Sequence, residues 1–359
     1  MQHRGYNFGA GPAALPEEIL KEAQLALWNW HQTGMSILEI GHRTEIFMDL
    51  MAETESLCRQ ILNIPEHYAV LFLGGSARAQ FGNIPLNILQ KDERAAYIST
   101  GMWSDMSYQE AKRLCPNEVY ELATGASSKF VKAPIIQQQI DIKTKYLYFT
   151  SNETIVGFRF MPDADYHQIP WVSDMTSSLF SEPLDIEKYG LIFAGAQKNI
   201  ANAGLVVAIV RRDWLQQAPY MNLPSMQDYR TYDKHQSLYA TPPTFNCYLM
   251  NLMMKWIIKQ GGVDALYQTN LKKAQLLYDF LDESKVFNTF VKPPHRSIMN
   301  VSFTSGSAEK DLQLVHHAEQ HGLLALKGHR SFGGLRASIY NAMPIQGVHQ
   351  LIKCLSDFY

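Results

Sequence analysis

Two side chains in this sequence sit where burial alone would exclude them. Asp174 and Lys198 each follow a short apolar run, Trp171-Val172 before the acid and Gly190-Leu191-Ile192-Phe193-Ala194 before the amine. Such runs read as buried strands, and a polar group at their ends is costly to bury unless it has a partner or a task. At the ends of neighbouring strands of an α/β sheet, both groups would point into the crevice where such sheets bind ligands. A carboxylate and an amine so placed suit pyridoxal phosphate, which needs a lysine to hold it as a Schiff base and an acid to keep its ring nitrogen protonated. Solvated Asp and Lys pairs are common, and what distinguishes this one is its setting. Ala194-Gly195-Ala196-Gln197-Lys198-Asn199 places small residues where a planar ring needs room and backbone must approach closely. A lysine leaving a buried run also favours the lowered pKa that a Schiff-base nucleophile requires.

A phosphate would need its own grip. Residues 68–73 read as a strand, followed at once by Gly74-Gly75-Ser76-Ala77-Arg78 and a helix through Phe81, Ile84 and Leu89. A strand, a glycine turn and a helix start make an anion site, because free backbone N–H groups and the helix dipole face the ligand. The turn lacks G-x-G-x-x-G, so a dinucleotide is the weaker ligand, and a simple turn is the plain alternative. Trp103, just past the strand at 95–99, offers a flat face for stacking on a ring, or else belongs to the core.

Two cationic clusters lie further off. His42-Arg43 ends a short extended piece at 36–43, and alone is equally well a solvated loop. In Gly328-His329-Arg330-Ser331-Phe332-Gly333-Gly334-Leu335-Arg336 the cations His329, Arg330 and Arg336 exceed what one carboxylate needs. Interleaved Phe332 and glycines make this stretch a loop closing over a ligand rather than a solvated helix face.

The elements that must position these residues follow an α/β rhythm. Strands at 68–73, 95–99 and 145–150, the Asp174 and Lys198 strands and 204–210 are separated by helices for the most part, which predicts a largely parallel sheet covered on both faces. One helix opens at Leu15-Pro16-Glu17-Glu18 and faces Ile19, Ala23, Leu27 and Trp30 inward. Others carry Phe47 to Ile61, about 105–114, and Cys247 to Trp256. Gly261-Gly262 ends the last of these and marks a domain boundary. Beyond it lie a helix facing Ala265, Leu271, Leu276 and Phe280 inward, a strand at 298–303, a helix at 310–321 and a final helix with Leu351, Ile352 and Leu355. The expected division is an arm at 1–16, a large domain at 17–260 and a small α+β domain at 261–359.

With 359 residues, 32 basic against 34 acidic side chains and a formal charge of −2, the chain has no global field to attract nucleic acid. Cys58, Cys115, Cys247 and Cys354 show no zinc spacing and read as buried thiols of a reducing compartment, and no metal ligand set emerges. The N-terminus has no apolar leader, and the longest aliphatic run, 205–210, is too short to span a bilayer. A cytoplasmic location follows.

NFGAGPAALPEEIL, SILEIGHR, LFLGGSARAQFGNIPLN, TSNETIVGF, the Asp174 strand, FAGAQKNIANAGL, TPPTF and GHRSFGGLRASIYNAMP, in that order from Asn7 to the C-terminus, resemble the phosphoserine aminotransferases, a class V pyridoxal-phosphate family. The resemblance implies fold type I, with a large domain built on a mostly parallel sheet and a smaller C-terminal α+β domain. It implies that Lys198 binds the cofactor and shuttles the proton, that Asp174 partners the ring nitrogen, that Trp103 stacks, and that Thr154 lies near the phenolic oxygen. Ala77, Arg78 and Gln197 match residues at the cofactor phosphate. Ala240 and Thr241 match a pair that reaches that phosphate from the neighbouring subunit of a homodimer. His42, Arg43, His329 and Arg330 match the residues for a substrate's distal phosphate or γ-carboxylate, and Arg336 matches the one for its α-carboxylate. Ala10 stands where a serine near the substrate is expected, and Ala240 where an asparagine is expected. Each departure removes at most one neutral hydrogen bond, worth about 0.5–1.5 kcal/mol.

The implied reaction moves an amino group from L-glutamate to 3-phosphohydroxypyruvate, giving O-phospho-L-serine and 2-oxoglutarate in serine biosynthesis. 4-Phosphohydroxy-L-threonine of vitamin B6 synthesis is a related substrate. The rivals are a glyoxylate-type aminotransferase, a desulfurase, which would need a mobile catalytic cysteine, and a noncatalytic member of the fold.

Overall fold

The computed structural model describes residues 4–136, 139–162, 166 and 168–358. Its centre is a seven-stranded sheet in the order Tyr68–Gly74, Leu205–Arg211, Tyr189–Gly195, Trp171–Asp174, Thr144–Thr150, Arg94–Ser99 and Val119–Thr124. Leu205–Arg211 runs antiparallel to both its neighbours, while the other six strands point one way. Both faces are covered. In the edge strand, Tyr68, Val70 and Phe72 join one core while Ala69, Leu71 and Leu73 join the other. Burial on two faces is why these strands are continuous apolar runs rather than alternating ones.

Register brings the polar strand ends to one rim. Thr150 pairs with Asp174, and Asp174 with Phe193. On the antiparallel strand, Leu205 lies opposite Gly74 and Val206 opposite Gly195. The glycine turn after the first strand and the turn leading to Lys198 therefore emerge side by side.

A second unit packs the antiparallel strands Asn288–Thr289, Asn300–Thr304 and Leu335–Ser338 against the helices Gly262–Glu283, Ala308–Gln320 and Ile345–Phe358. The N-terminal Tyr6–Asn7 pairs in parallel with Leu323–Leu324, and Phe8 is buried in this unit's core. Among the described residues no helix is long and apolar enough to cross a membrane.

Several elements differ from expectation. Residues 36–43 form turns rather than an extended piece. The first helix, Glu17–Asn29, buries Ala26 and leaves Leu27 43% exposed, and Trp30 begins a separate 3-10 turn. The helix at Trp103 starts at Met102 instead of about 105, for a reason found in the site below. The edge strand Val119–Thr124 is unforeseen, because only one of its faces is apolar enough to show. Cys115 is partly exposed, whereas Cys58, Cys247 and Cys354 are buried. In Gly262–Glu283 the core face is Leu266, Asn270, Lys273, Ala274, Leu277 and Leu281, which is rotated from the expected one. The cause is two buried polar groups. Lys273 is fully buried and its Nζ donates to the carbonyls of Ile339 at 3.0 Å, Tyr340 at 2.7 Å and Met343 at 3.0 Å. Three acceptors match the three protons of an ammonium, so they oppose the burial that pushes this lysine down to about 7.

Candidate active site

At the rim where the strands end lies a cleft with a cavity of about 100 Å³, lined by Ala77, Arg78, Trp103, Thr154, Asp174, Gln197 and Lys198 together with Ser76, Phe81, Thr150, Asn152, Thr176 and Ser177. The first seven are candidates named from the sequence, so residues from five separate segments converge here.

Asp174 is buried and accepts the Thr176 N–H on Oδ1 at 2.8 Å. Thr176 Oγ1 in turn accepts from Gly195 N at 3.1 Å, which ties the Asp174 turn to the neighbouring strand. Burial raises the carboxyl's pKa, and the Thr176 bonds and the charge of Lys198 oppose the rise. Lys198 Nζ bonds Thr154 Oγ1. Burial lowers the amine from 10.5 to about 8, with Arg336 adding to the fall and Asp174 and Glu153 resisting it. A lysine poised there keeps a useful neutral fraction near neutral pH. Modification of Lys198 in cofactor-free protein by an amine-directed reagent should therefore rise about tenfold per pH unit at low pH and level off above about 8. Peptide mass spectrometry follows it. A rate still climbing past pH 10 would show an ordinary lysine.

Opposite the amine, Ser76 caps the helix Ala77–Ile88, its Oγ accepting from Arg78 N at 3.3 Å. Gly75 adopts φ 123°, a conformation strained for other residues, and donates to Gly204 O at 2.9 Å. The free N–H groups of this helix start, with the Arg78 guanidinium 5.1 Å from the Trp103 ring centroid, make a compact anion cradle.

Glu153 was not singled out from the sequence, yet it sets the position of Trp103. It is fully buried, accepting from Trp103 N at 3.1 Å, Ser104 N at 2.9 Å and Ser104 Oγ at 2.7 Å. These bonds satisfy the N-terminus of Met102–Leu114 and allow the helix to begin before Asp105. A Cβ on Gly101 would lie 2.1 Å from Glu153 Cδ, so only glycine admits the carboxylate. Burial raises Glu153 to about 7 against those donors.

The N-terminal arm and the second unit close the far side. Ala13 N donates to Gln197 O at 2.8 Å, and Gly11 passes so near that a Cβ there would sit 3.5 Å from Lys198 Cγ. Ala10 O accepts from Tyr340 Oη at 2.8 Å. Asn300 Nδ2 donates to Tyr340 Oη at 3.1 Å, and Asn300 Oδ1 accepts from Asn152 Nδ2 at 2.8 Å. This buried chain joins the two units beneath the cleft. Arg336, on Leu335–Ser338, is close enough to lower both Lys198 and His329, and His329 is lowered first by burial, then by Arg336 and Arg330. Arg336, Arg330 and His329 act on one another as one cluster, the latter two in a loop that Gly333 and Gly334 turn back at φ 76° and 66°.

The remaining candidates do not join the cleft. Ala10, His42, Arg43, Ala240, Thr241, His329, Arg330 and Arg336 are all outside the residues that line the cavity, and His42 Nδ1 lies 3.0 Å from Thr241 Oγ1. Thr176 and Glu153 escaped sequence reasoning, and Ser76 was seen only as part of the glycine turn. Ser76 carried the one available signal, a serine directly before a helix.

These residues fit the cofactor expected from the sequence. Trp103 Nε1 and Thr150 Oγ1 are buried at the cleft without a protein partner, as polar groups awaiting a ligand would be. The anion cradle, the flat indole, the buried acid and the amine match a phosphate, a ring, a ring nitrogen and an aldehyde.

Comparison with known proteins agrees. The family profile described as Aminotransferase class-V matches residues 5–351. The phosphoserine aminotransferase of Legionella pneumophila (strain Corby) is 52% identical over 359 residues, covering 100% of this chain and 99% of the relative. The solved phosphoserine aminotransferase from Bacillus circulans subsp. alkalophilus superposes with a TM-score of 0.94 at 41% identity, covering 99% of this chain and 98% of that one. The PLP-bound phosphoserine aminotransferase from Trichomonas vaginalis also reaches 0.94, at 37% identity over 98% of this chain and 100% of that one.

Proposed function

The chain belongs to the class-V aminotransferases, and within them to the phosphoserine aminotransferases, and from that premise we propose that it transfers the amino group of L-glutamate to 3-phosphohydroxypyruvate by a ping-pong route, forming O-phospho-L-serine and 2-oxoglutarate. Its cofactor is pyridoxal 5′-phosphate, which when bound withdraws electrons from the substrate Cα and so makes the Cα–H bond acidic. Ala77, Arg78 and Gln197 would hold the phosphate, Trp103 the ring face, Thr154 the phenolic oxygen and Asp174 the ring nitrogen. Lys198 Nζ, neutral for a substantial fraction of the time, takes the proton from Cα and returns it on the other side of the reaction. Arg336 grips the α-carboxylate that both substrates share.

The observation that carries the substrate assignment is the cationic cluster. Arg336 acts on Lys198 while His329 and Arg330 stand beside it, so a second anion is provided for next to the carboxylate site. A phosphate or a γ-carboxylate supplies it, at Arg330, His329, His42 and Arg43. The His42–Thr241 bond supports a homodimer in which Ala240 and Thr241 reach the partner's cofactor phosphate and carry His42 with them. The arm at 1–16, the large domain at 17–260 and the small domain at 261–359 then flank the site, in the cytoplasm. A desulfurase reading has no support, since no cysteine lines the cleft and burial pushes the Cys115 thiol to about 11 and the Cys247 thiol to about 12. 4-Phosphohydroxy-L-threonine presents the same two anions and is a second substrate on this reading.

Adding O-phospho-L-serine to the holoenzyme should bleach the cofactor's visible band, with L-serine far less effective. Bleaching by another amino acid, with phosphoserine inert, would overturn the substrate while leaving the cofactor in place.

A further inference from the structure

Away from the cleft, two helices bring three metal-ligating side chains to one point. His317, His321 and Cys354 each offer a ligand atom, and these atoms all lie within 4.8 Å of one another. The histidines are one helical turn apart, at and just beyond the end of Ala308–Gln320, so their rings share a face with centroids 4.4 Å apart. Cys354 comes from Ile345–Phe358 and is 6% exposed. The sequence hides this set because the cysteine is far from the histidines along the chain.

His321 is already oriented. His321 Nδ1 lies 2.8 Å from the carbonyl oxygen of His317, which accepts its N–H. That bond selects the tautomer whose Nε2 lone pair is free, the arrangement usual in metal-bound histidine. The Phe358 ring stands 5.2 Å from the His317 ring and gives the cluster an apolar wall. Two imidazoles with a thiolate are a donor set for borderline or soft ions, not for magnesium or calcium.

We propose that His317, His321 and Cys354 form a binding site for a divalent transition ion of the zinc class, with water completing a four-coordinate shell. Zn–N bonds of about 2.0–2.1 Å and a Zn–S bond of about 2.3 Å put neighbouring donors roughly 3.3–3.8 Å apart. Capture therefore draws the three groups together by at most about 1–1.5 Å. Binding exchanges the Cys354 S–H bond for a sulfur–metal bond and releases the proton to solvent. An occupied site would fasten the last helix to its neighbour and stabilise the second unit by mass action.

Titration of untagged holoenzyme with Co²⁺, a coloured stand-in for Zn²⁺, tests this. One ion per chain is expected, with a thiolate-to-metal charge-transfer band that Zn²⁺ displaces. Cys354→Ser should abolish the band. His321→Ala, a change at the surface, should weaken binding by about tenfold or more, cancel any rise in Tm caused by Zn²⁺, and leave transamination unchanged. Failure to bind cobalt, binding without the thiolate band, or binding unaltered by His321→Ala would each overturn the site.

Discussion

Lys198→Ala is expected to lower kcat/KM for transamination by about 10² to 10⁴ or more, while the protein stays folded and holds its cofactor noncovalently. The magnitude is that of a lost general acid–base group, and no neighbour can replace it. Thr154, bonded to Nζ, is a hydroxyl of ordinary acidity, and Asp174 is buried and engaged with Thr176. The rest of the cleft is untouched by the change, because the cradle at Ser76–Arg78 and the indole of Trp103 are held by their own helices. Single-turnover kinetics with O-phospho-L-serine measure the loss, and partial rescue by a small added amine would show that the missing function is proton transfer. Undiminished turnover would remove the central assignment.

Asp174→Asn should cost about 10² to 10³ in kcat with a smaller change in KM, the scale set by losing one preorganised electrostatic partner in a site that excludes water. The replacement is nearly isosteric and its Oδ1 can still accept the Thr176 N–H, so the turn should survive. What goes is the negative charge proposed to keep the cofactor's ring nitrogen protonated. A second readout separates charge from shape. Asp174 raises the pKa of Lys198, so removing its charge must move that lysine further below about 8, and the pH midpoint for amine-directed labelling should fall. Burial disfavours the Asp174 carboxylate, so the cofactor-free variant should be no less stable than the parent in urea. A kcat within twofold of the parent would exclude the ring-nitrogen role.

How much of this was legible beforehand depended on the kind of signal. Asp174 and Lys198 were visible because each breaks an apolar run, and the register that aligns Thr150, Asp174 and Phe193 makes those breaks coincide in space. The Ser76 turn was visible through its glycines. Glu153 was not, because its task is to satisfy the amides of a helix that begins some fifty residues earlier, and nothing in its own neighbourhood reveals that. The face of Gly262–Glu283 was misjudged for a related reason. Hydrophobic periodicity assigns Lys273 to solvent, while the carbonyls of Ile339, Tyr340 and Met343 hold it inside. Val119–Thr124 escaped because an edge strand with mixed burial lacks the signal that central strands carry. Likewise, spacing alone cannot show that His42 meets Thr241 outside the cleft.

The pairing of Tyr6–Asn7 with Leu323–Leu324 imposes an order on how the molecule is completed during synthesis. Tyr6–Asn7 leaves the ribosome long before Leu323–Leu324, its partner strand. At about 5–20 residues per second, roughly 15 to 60 s separate the emergence of the two. Until then the arm that lies across Gln197 and Lys198 lacks its strand partner and has only its bond from Ala13 N to Gln197 O to hold it there. On this order the arm's strand pairing is completed only after Leu323–Leu324 has been synthesised.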